Sequence, residues 1–374
     1  MTDAVTDAMT DSPYPEHCSA YPELGFYALP GHSRSPRDAL RQTQDAEQLG
    51  IGNVMISERA DYKEIAALCG AIAAVTESIT IGTSATNQNT RHPVITASMG
   101  STLNRLSNGR FALGLAKGVN LRWKAMGLPT VTYEREREFV SVLKRLWRGE
   151  TITAYEGALG SFAQLSLAPY INEDIPILYV GFGPKSLEHA GRYYDGVHLH
   201  TFMGRQALET AIAQVRAGEA AAGRPRGSVK VWTVLATGCE IDDKTYLKYI
   251  IARLVTYLQI PGYGDMLAQI NGWDADDVAR LRTSKAVQQV GGLVDSVASL
   301  SQLAEIEPLV PEHWREAALG TPNQCAARWQ AEFDAGADGV IIHASTPEQF
   351  EPVLTAYAQQ RNGERFAGRT NRPA

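Results

Sequence analysis

Four cysteines in 374 residues are too few and too scattered to staple this chain. Cys18, Cys69, Cys239 and Cys325 make no CxxC pair and no zinc-ligand spacing. That excludes a disulfide scaffold or zinc ribbon and reads as reduced thiols in a cytoplasmic protein. No apolar run reaches the ~20 residues of a membrane span, and the N-terminus shows no signal-peptide pattern. Positive charge is also in short supply. Thirty-five Lys and Arg face 41 Asp and Glu, a net charge of −6, which argues against a nucleic-acid-binding face. Residues 1–23 hold five acids and three prolines with no Lys or Arg, and are expected to form a flexible acidic arm. No HExxH and no recurring cluster of ligand residues points to a metal.

What is present is alternation. Short apolar segments at 24–29, 53–58, 79–85, 110–116, 176–181, 196–201, 229–236 and 339–344 each precede a helix-like stretch. The helices are expected to start near Pro36, Tyr62, Pro93, Tyr133, Pro184, Arg205, Thr321 and Pro347, several of them prolines, which suit a first helical position. Eight such units predict an α/β fold, a (β/α)8 TIM barrel, in one domain over 24–362 with a tail at 363–374. A small β excursion (TITAY, QLSL) is expected within 150–175. Residues 242–320 read as a helical insertion after the seventh strand. It lies on the loop face where barrels build active sites, and either covers the site, makes a dimer contact, or packs only on the outer helices.

Catalytic groups of a barrel come from the C-terminal strand ends. The second strand ends Ser57-Glu58-Arg59, placing a carboxylate at the mouth. Glu58 is either an acid–base group or half of an ion pair tying down a loop. The third ends in a long polar run, Ser84 to His92, far richer in hydrogen-bonding side chains than a turn requires. The fourth ends at Lys117-Gly118, an anion contact or an ordinary loop. The fifth ends Gly181-Phe182-Gly183-Pro184, where glycines and a helix N-terminus can cradle a phosphate. His198 and His200 share one face of the sixth strand and read as pocket histidines rather than metal ligands. Basic residues at these ends, among them Arg34, Lys63, Arg91, Arg122 and Lys185, suggest an anionic ligand.

Several stretches together resemble the luciferase-like monooxygenase superfamily, and its F420-dependent oxidoreductase branch in particular. They are ITIGTSATNQNTRHP (79–93), GRFALGLAKG (109–118), PILYVGFGPKSLEHAGRYYDGV (176–197) and GTPNQCAARWQAEFDAGADGVIIH (320–343). The resemblance implies a homodimeric barrel that binds a flavin or deazaflavin at its mouth. It also implies a non-proline cis peptide at Ser84–Ala85 behind the cofactor ring. Ser57, Ser84, Ala85, Thr86 and Asn87 would then meet the ring, Lys117 and Gly118 would lie beside it, and Gly181, Phe182 and Gly183 would cradle its phosphate. Glu58, with Arg59 beside it, and His200 would serve the substrate side. Arg59 stands where the branch has a histidine, and Lys117-Gly118-Val119 where its sugar-phosphate enzymes have Thr-Gly-Glu, so a different substrate is expected. The implied activity is hydride transfer between coenzyme F420 and a carbonyl, alcohol or activated alkene. One alternative is an FMN-dependent two-component monooxygenase with a partner reductase. A second is a non-catalytic flavin-binding protein.

Overall fold

The computed structural model describes residues 14–31, 35–59 and 63–374. Arg34 and the helix start expected near Tyr62 lie outside the described residues. Eight parallel strands close on themselves. They are β1 (Tyr21–Tyr27), β2 (Ile51–Ile56), β3 (Thr80–Thr83), β4 (Phe111–Leu115), β7 (Ile177–Val180), β8 (Gly196–His198), β9 (Lys230–Cys239) and β11 (Gly339–His343), with β11 pairing back to β1. This is the expected (β/α)8 barrel. Every residue of β2, β3, β4 and β8 is buried, because the strands are covered on both faces.

Between β4 and β7, β5 (Ile152–Gly157) and β6 (Gly160–Leu165) form an antiparallel hairpin. The short β10 (Ala318–Gly320) adds to the outer edge of β9. Pro93, Pro184 and Pro347 open their helices at the first position. Helix Tyr133–Trp147 buries the stripe Phe139, Val142, Leu143, Leu146 and Trp147, and with it one acid, Glu136.

The insertion leaves after β9 and returns through β10. Its helices, among them Ala252–Leu258 and Tyr263–Asn271, are fastened by stacked Trp273 and Trp314, whose ring centroids are 5.1 Å apart. It lies over the barrel mouth. A Cβ on Gly31, just past β1, would sit 2.7 Å from Tyr249, and Tyr263 packs on Phe182.

The expected arm is docked from Tyr14 onward. Tyr14 donates to Glu173, and β1 begins at Tyr21, three residues earlier than the apolar pattern suggested. Glu23 is fully buried, where it accepts from Arg361 Nε at 2.6 Å and Tyr357 at 3.0 Å. The C-terminal segment seals the same end: Asn371 bonds Ser19 and Ser78, and Pro373 accepts from Trp232 Nε1.

Candidate functional site

One extra residue in the third strand shapes the mouth. Gly82 pairs with Ala112 and Thr86 with Leu115, so four steps on one chain face three on the other. That is a bulge. Gly114 allows it. A Cβ there would lie 1.9 Å from the Thr83 carbonyl oxygen, and the Thr83 hydroxyl both accepts from Gly114 N–H (2.8 Å) and donates to its carbonyl (2.7 Å). Within the bulge the Ser84–Ala85 peptide is cis. Ser84 N–H donates to Ile56, and the Ala85 carbonyl accepts from Glu58 N–H.

The Ala85 side of this peptide borders a cavity of about 490 Å3. Its walls include Glu58, Arg59, Thr86, Gly118, Arg122 and Trp123. Gly118 has φ +69°, and a Cβ on it would meet Trp123 at 2.3 Å, so glycine brings the indole against the wall. The Glu58 carboxylate is fully committed. It accepts from Thr86 Oγ1 (2.6 Å), from Asn87 Nδ2 (3.4 Å) and from both terminal nitrogens of Arg91 (2.5 and 3.3 Å). Arg91 also pairs with Glu64 at 2.6 Å. Glu58 thus forms an ion pair with Arg91.

The Ser84 side borders a second cavity, about 170 Å3, deeper in the barrel. Tyr27, Ser57, His200, Arg253, Tyr257 and His343 line it, and Arg59 borders both cavities. Ser84 Oγ lies 2.5 Å from the Tyr27 hydroxyl and 3.2 Å from His198 Nδ1. His200 Nδ1 lies 2.7 Å from the Thr201 carbonyl. A carbonyl only accepts, so Nδ1 carries the proton and Nε2 presents a lone pair, which has no partner among the described residues. Burial pushes His200 down to about 4 and His198 to about 3, and His343 is also well below its ordinary value through burial. All three are neutral at pH 7. Tyr257 and Tyr263 of the insertion pack on His200, with centroids 4.4 and 5.4 Å away.

Lys117 and the Gly181–Phe182–Gly183 turn line neither cavity. Gly183 begins the helix Pro184–Tyr193 without a side-chain cap, and Phe182 packs against His200 at 4.7 Å. Lys117 Nζ sits 4.0 Å over the Tyr133 ring, whose hydroxyl meets Ser186 Oγ at 3.0 Å. Lys117, Tyr133 and the helix start therefore form one cationic, amide-rich corner. Below it Glu136, raised by burial to about 7, leaves Oε2 without a partner among the described residues.

Two residues of the inner cavity, Tyr27 and Arg253, escaped the sequence reading. Tyr27 sits on the inward face of β1, and period-two alternation was its only signal. Arg253, paired with Asp295 at 2.6 Å, comes from an insertion with no motif; Tyr257 beside it is one of that insertion's aromatic residues, which the sequence offers equally to a ring-shaped substrate and to core packing. Among the described residues there is no group of three or more His, Cys, Asp or Glu able to hold a metal. No described helix is long and apolar enough to cross a membrane.

Residues 23–339 match the family model of the luciferase-like monooxygenases. The 5,10-methylenetetrahydromethanopterin reductase of Methanolobus tindarius is 30% identical over 301 residues, 79% of this chain and 86% of that protein. The F420-dependent glucose-6-phosphate dehydrogenase of Beutenbergia cavernae is 33% identical over 354 residues, 90% of this chain and 95% of the relative. The solved coenzyme F420 dependent tetrahydromethanopterin reductase of Methanopyrus kandleri superposes with a TM-score of 0.73 at 21% identity, covering 90% of this chain and 99% of that one.

Proposed function

The chain belongs to the luciferase-like monooxygenase family, and from that premise we propose that it is an F420-dependent oxidoreductase. It passes a hydride between the deazaflavin and a small organic substrate, a carbonyl–alcohol pair or an activated C=C. Relatives named for F420-dependent activity support the cofactor. The observation that carries the reading is the Ser84–Ala85 link, one wall shared by two cavities of unlike character.

The residues present fit such a ring. The outer cavity is within the usual range of ligand pockets. Among the residues lining it, Ala85 of the cis link offers only a methyl, and Gly118 has no room for a Cβ at all. Lys117 and the uncapped helix start at Gly183 suit an anionic tail. Bound there, the deazaflavin supplies a two-electron carrier that gives or accepts hydride at one ring carbon.

The chain's own groups divide the remaining work. Neutral His200 accepts a hydrogen bond or a proton at Nε2, so it suits removal of a hydroxyl proton from an alcohol substrate. Glu58 is engaged on both carboxylate oxygens. It acts as a positioning residue that holds Thr86 and Arg91 against the outer cavity. Arg59 spans both cavities and orients substrate against ring. The insertion's tyrosines exclude water above His200.

Titration of the purified protein with F420 and, separately, with FMN, read by ring fluorescence, tests the reading. Saturable binding of F420 with weak or no binding of FMN is expected. Tight FMN binding without F420 binding, with oxygen consumption in the presence of a flavin reductase, overturns it.

A further inference from the structure

Spacing in the sequence pairs none of the cysteines, yet the fold joins two of them. Cys239 is the last residue of β9, and Cys325 lies in the first turn of helix Pro322–Asp334. β10 brings them together. Gly320 is in register with Cys239, and its carbonyl accepts from Glu240 N–H at 2.9 Å. Cys325 Sγ lies 3.8 Å from that same carbonyl oxygen. Both cysteines thus flank the same residue, Gly320, at this strand end. Both are free. Cys239 is partly exposed and Cys325 is completely buried.

Their place in the fold gives this arrangement meaning. The chain leaves the barrel after Cys239 and returns through β10, so residues 240–317 hang between the two thiols. That segment carries Arg253, Tyr257 and Tyr263, which close the inner cavity. Its neck is held by the three-residue pairing of β10 with β9.

We propose that Cys239 and Cys325 form a reversible oxidation site, converted by a low-molecular-weight disulfide into a disulfide that fastens the neck of the insertion. The Cys239 thiolate attacks one sulfur of the small disulfide, forming a mixed disulfide and releasing one thiol. The Cys325 thiolate then attacks the Cys239 sulfur, closing the protein bond and releasing the second thiol. The two protein thiols lose two electrons and two protons, and the small disulfide gains both. The buried thiol acts second because the outside reagent cannot reach it. Burial raises both thiols, Cys325 to about 12, so the thiolate fraction is small and the conversion is slow. The site is independent of which cofactor the mouth binds.

The test incubates the folded full chain with oxidised glutathione overnight at mildly alkaline pH, followed by peptide mapping without reductant. A cross-linked peptide joining 239 and 325, two hydrogens lighter and reopened by dithiothreitol, is expected. Proteolytic cleavage within 242–317 should then slow by about tenfold or more, since the link removes open states of a long loop. Cys239→Ser and Cys325→Ala should abolish both effects. Cys239→Ser carries the comparison alone if the buried replacement fails to fold. A glutathione adduct that persists on Cys239 while Cys325 stays alkylatable after unfolding overturns the site. A cross-link that leaves cleavage unchanged overturns the fastening.

Discussion

Arg91 and Glu58 meet end to end, with Nη2 of one 2.5 Å from Oε1 of the other, and the same nitrogen lies 2.6 Å from Glu64. One guanidinium thus neutralises two carboxylates on the wall of the outer cavity. Arg91→Ala leaves both negative charges facing any anionic ligand. Cofactor affinity should fall at least about tenfold, and stability by about 1–3 kcal/mol, less than for a fully buried pair because the site is partly hydrated. Glu58→Gln keeps the hydrogen bonds to Thr86 and should weaken affinity by less. Fluorescence titration and thermal melting check both variants, and unchanged affinity in Arg91→Ala would remove the pair from the binding site.

The same pair shows what the chain states openly and what it hides. The barrel was legible because each strand is a short, doubly covered apolar run and each helix starts at a marked residue such as Pro93 or Pro184. The mouth residues Glu58, Ala85, Thr86 and Gly118 were legible because strand ends must lie there. Glu58's partner was not. Arg59 adjoins it in sequence, but neighbours along an extended chain point apart, and the partner is Arg91, from the loop after the third strand. Pairings such as Arg253 with Asp295 depend on how separate segments pack, which local periodicity does not encode. Strand limits shifted for a related reason. The expected third strand ran to residue 85, but the bulge ends regular pairing at Thr83.

His200 gives the sharpest kinetic prediction. Its Nδ1 is committed to the Thr201 carbonyl, and its Nε2 lone pair has no partner among the described residues. His200→Phe fills much of the same space against Tyr257 but offers no acceptor. With an alcohol substrate, kcat/KM should drop about 10²–10⁴-fold while F420 affinity changes less than about threefold. Stopped-flow reduction of F420 beside equilibrium titration separates the two. Parallel loss of affinity and rate would make the residue structural.

Gly118→Ala tests the cavity wall at the end of β4. The new methyl meets Trp123 at 2.3 Å, and the backbone must hold φ +69° with a side chain attached. Strain and displacement of the indole should cost about 1–3 kcal/mol. Because Trp123 donates to the Lys117 carbonyl at 2.9 Å, the cofactor corner should loosen with it. A lower urea midpoint together with weaker F420 binding is expected. Lower stability with full affinity would place the ring away from Gly118.

Acid sensitivity follows from the buried histidines. Burial lowers His189 to about 4, His198 to about 3 and His200 to about 4, and holds His343 well below its usual value. An unfolded histidine titrates near 6.5. Their contribution is therefore present above about pH 6.5 and is lost as pH falls toward the folded values, because the unfolded chain binds the protons first. Glu136 opposes this. Burial raises it to about 7, so its contribution is greatest at low pH and is lost as pH rises through that value. Glu332, also raised by burial, acts in the same sense as Glu136, but four histidines outnumber these two carboxylates, so the net effect is loss of stability as pH falls below about 6.5. The urea midpoint should fall between pH 7 and pH 5. His198→Asn, which keeps a polar group beside Ser84, should flatten the fall by about one proton's worth. A midpoint that holds steady or rises on acidification would mean that these imidazoles are already charged, or hydrated, in the folded protein.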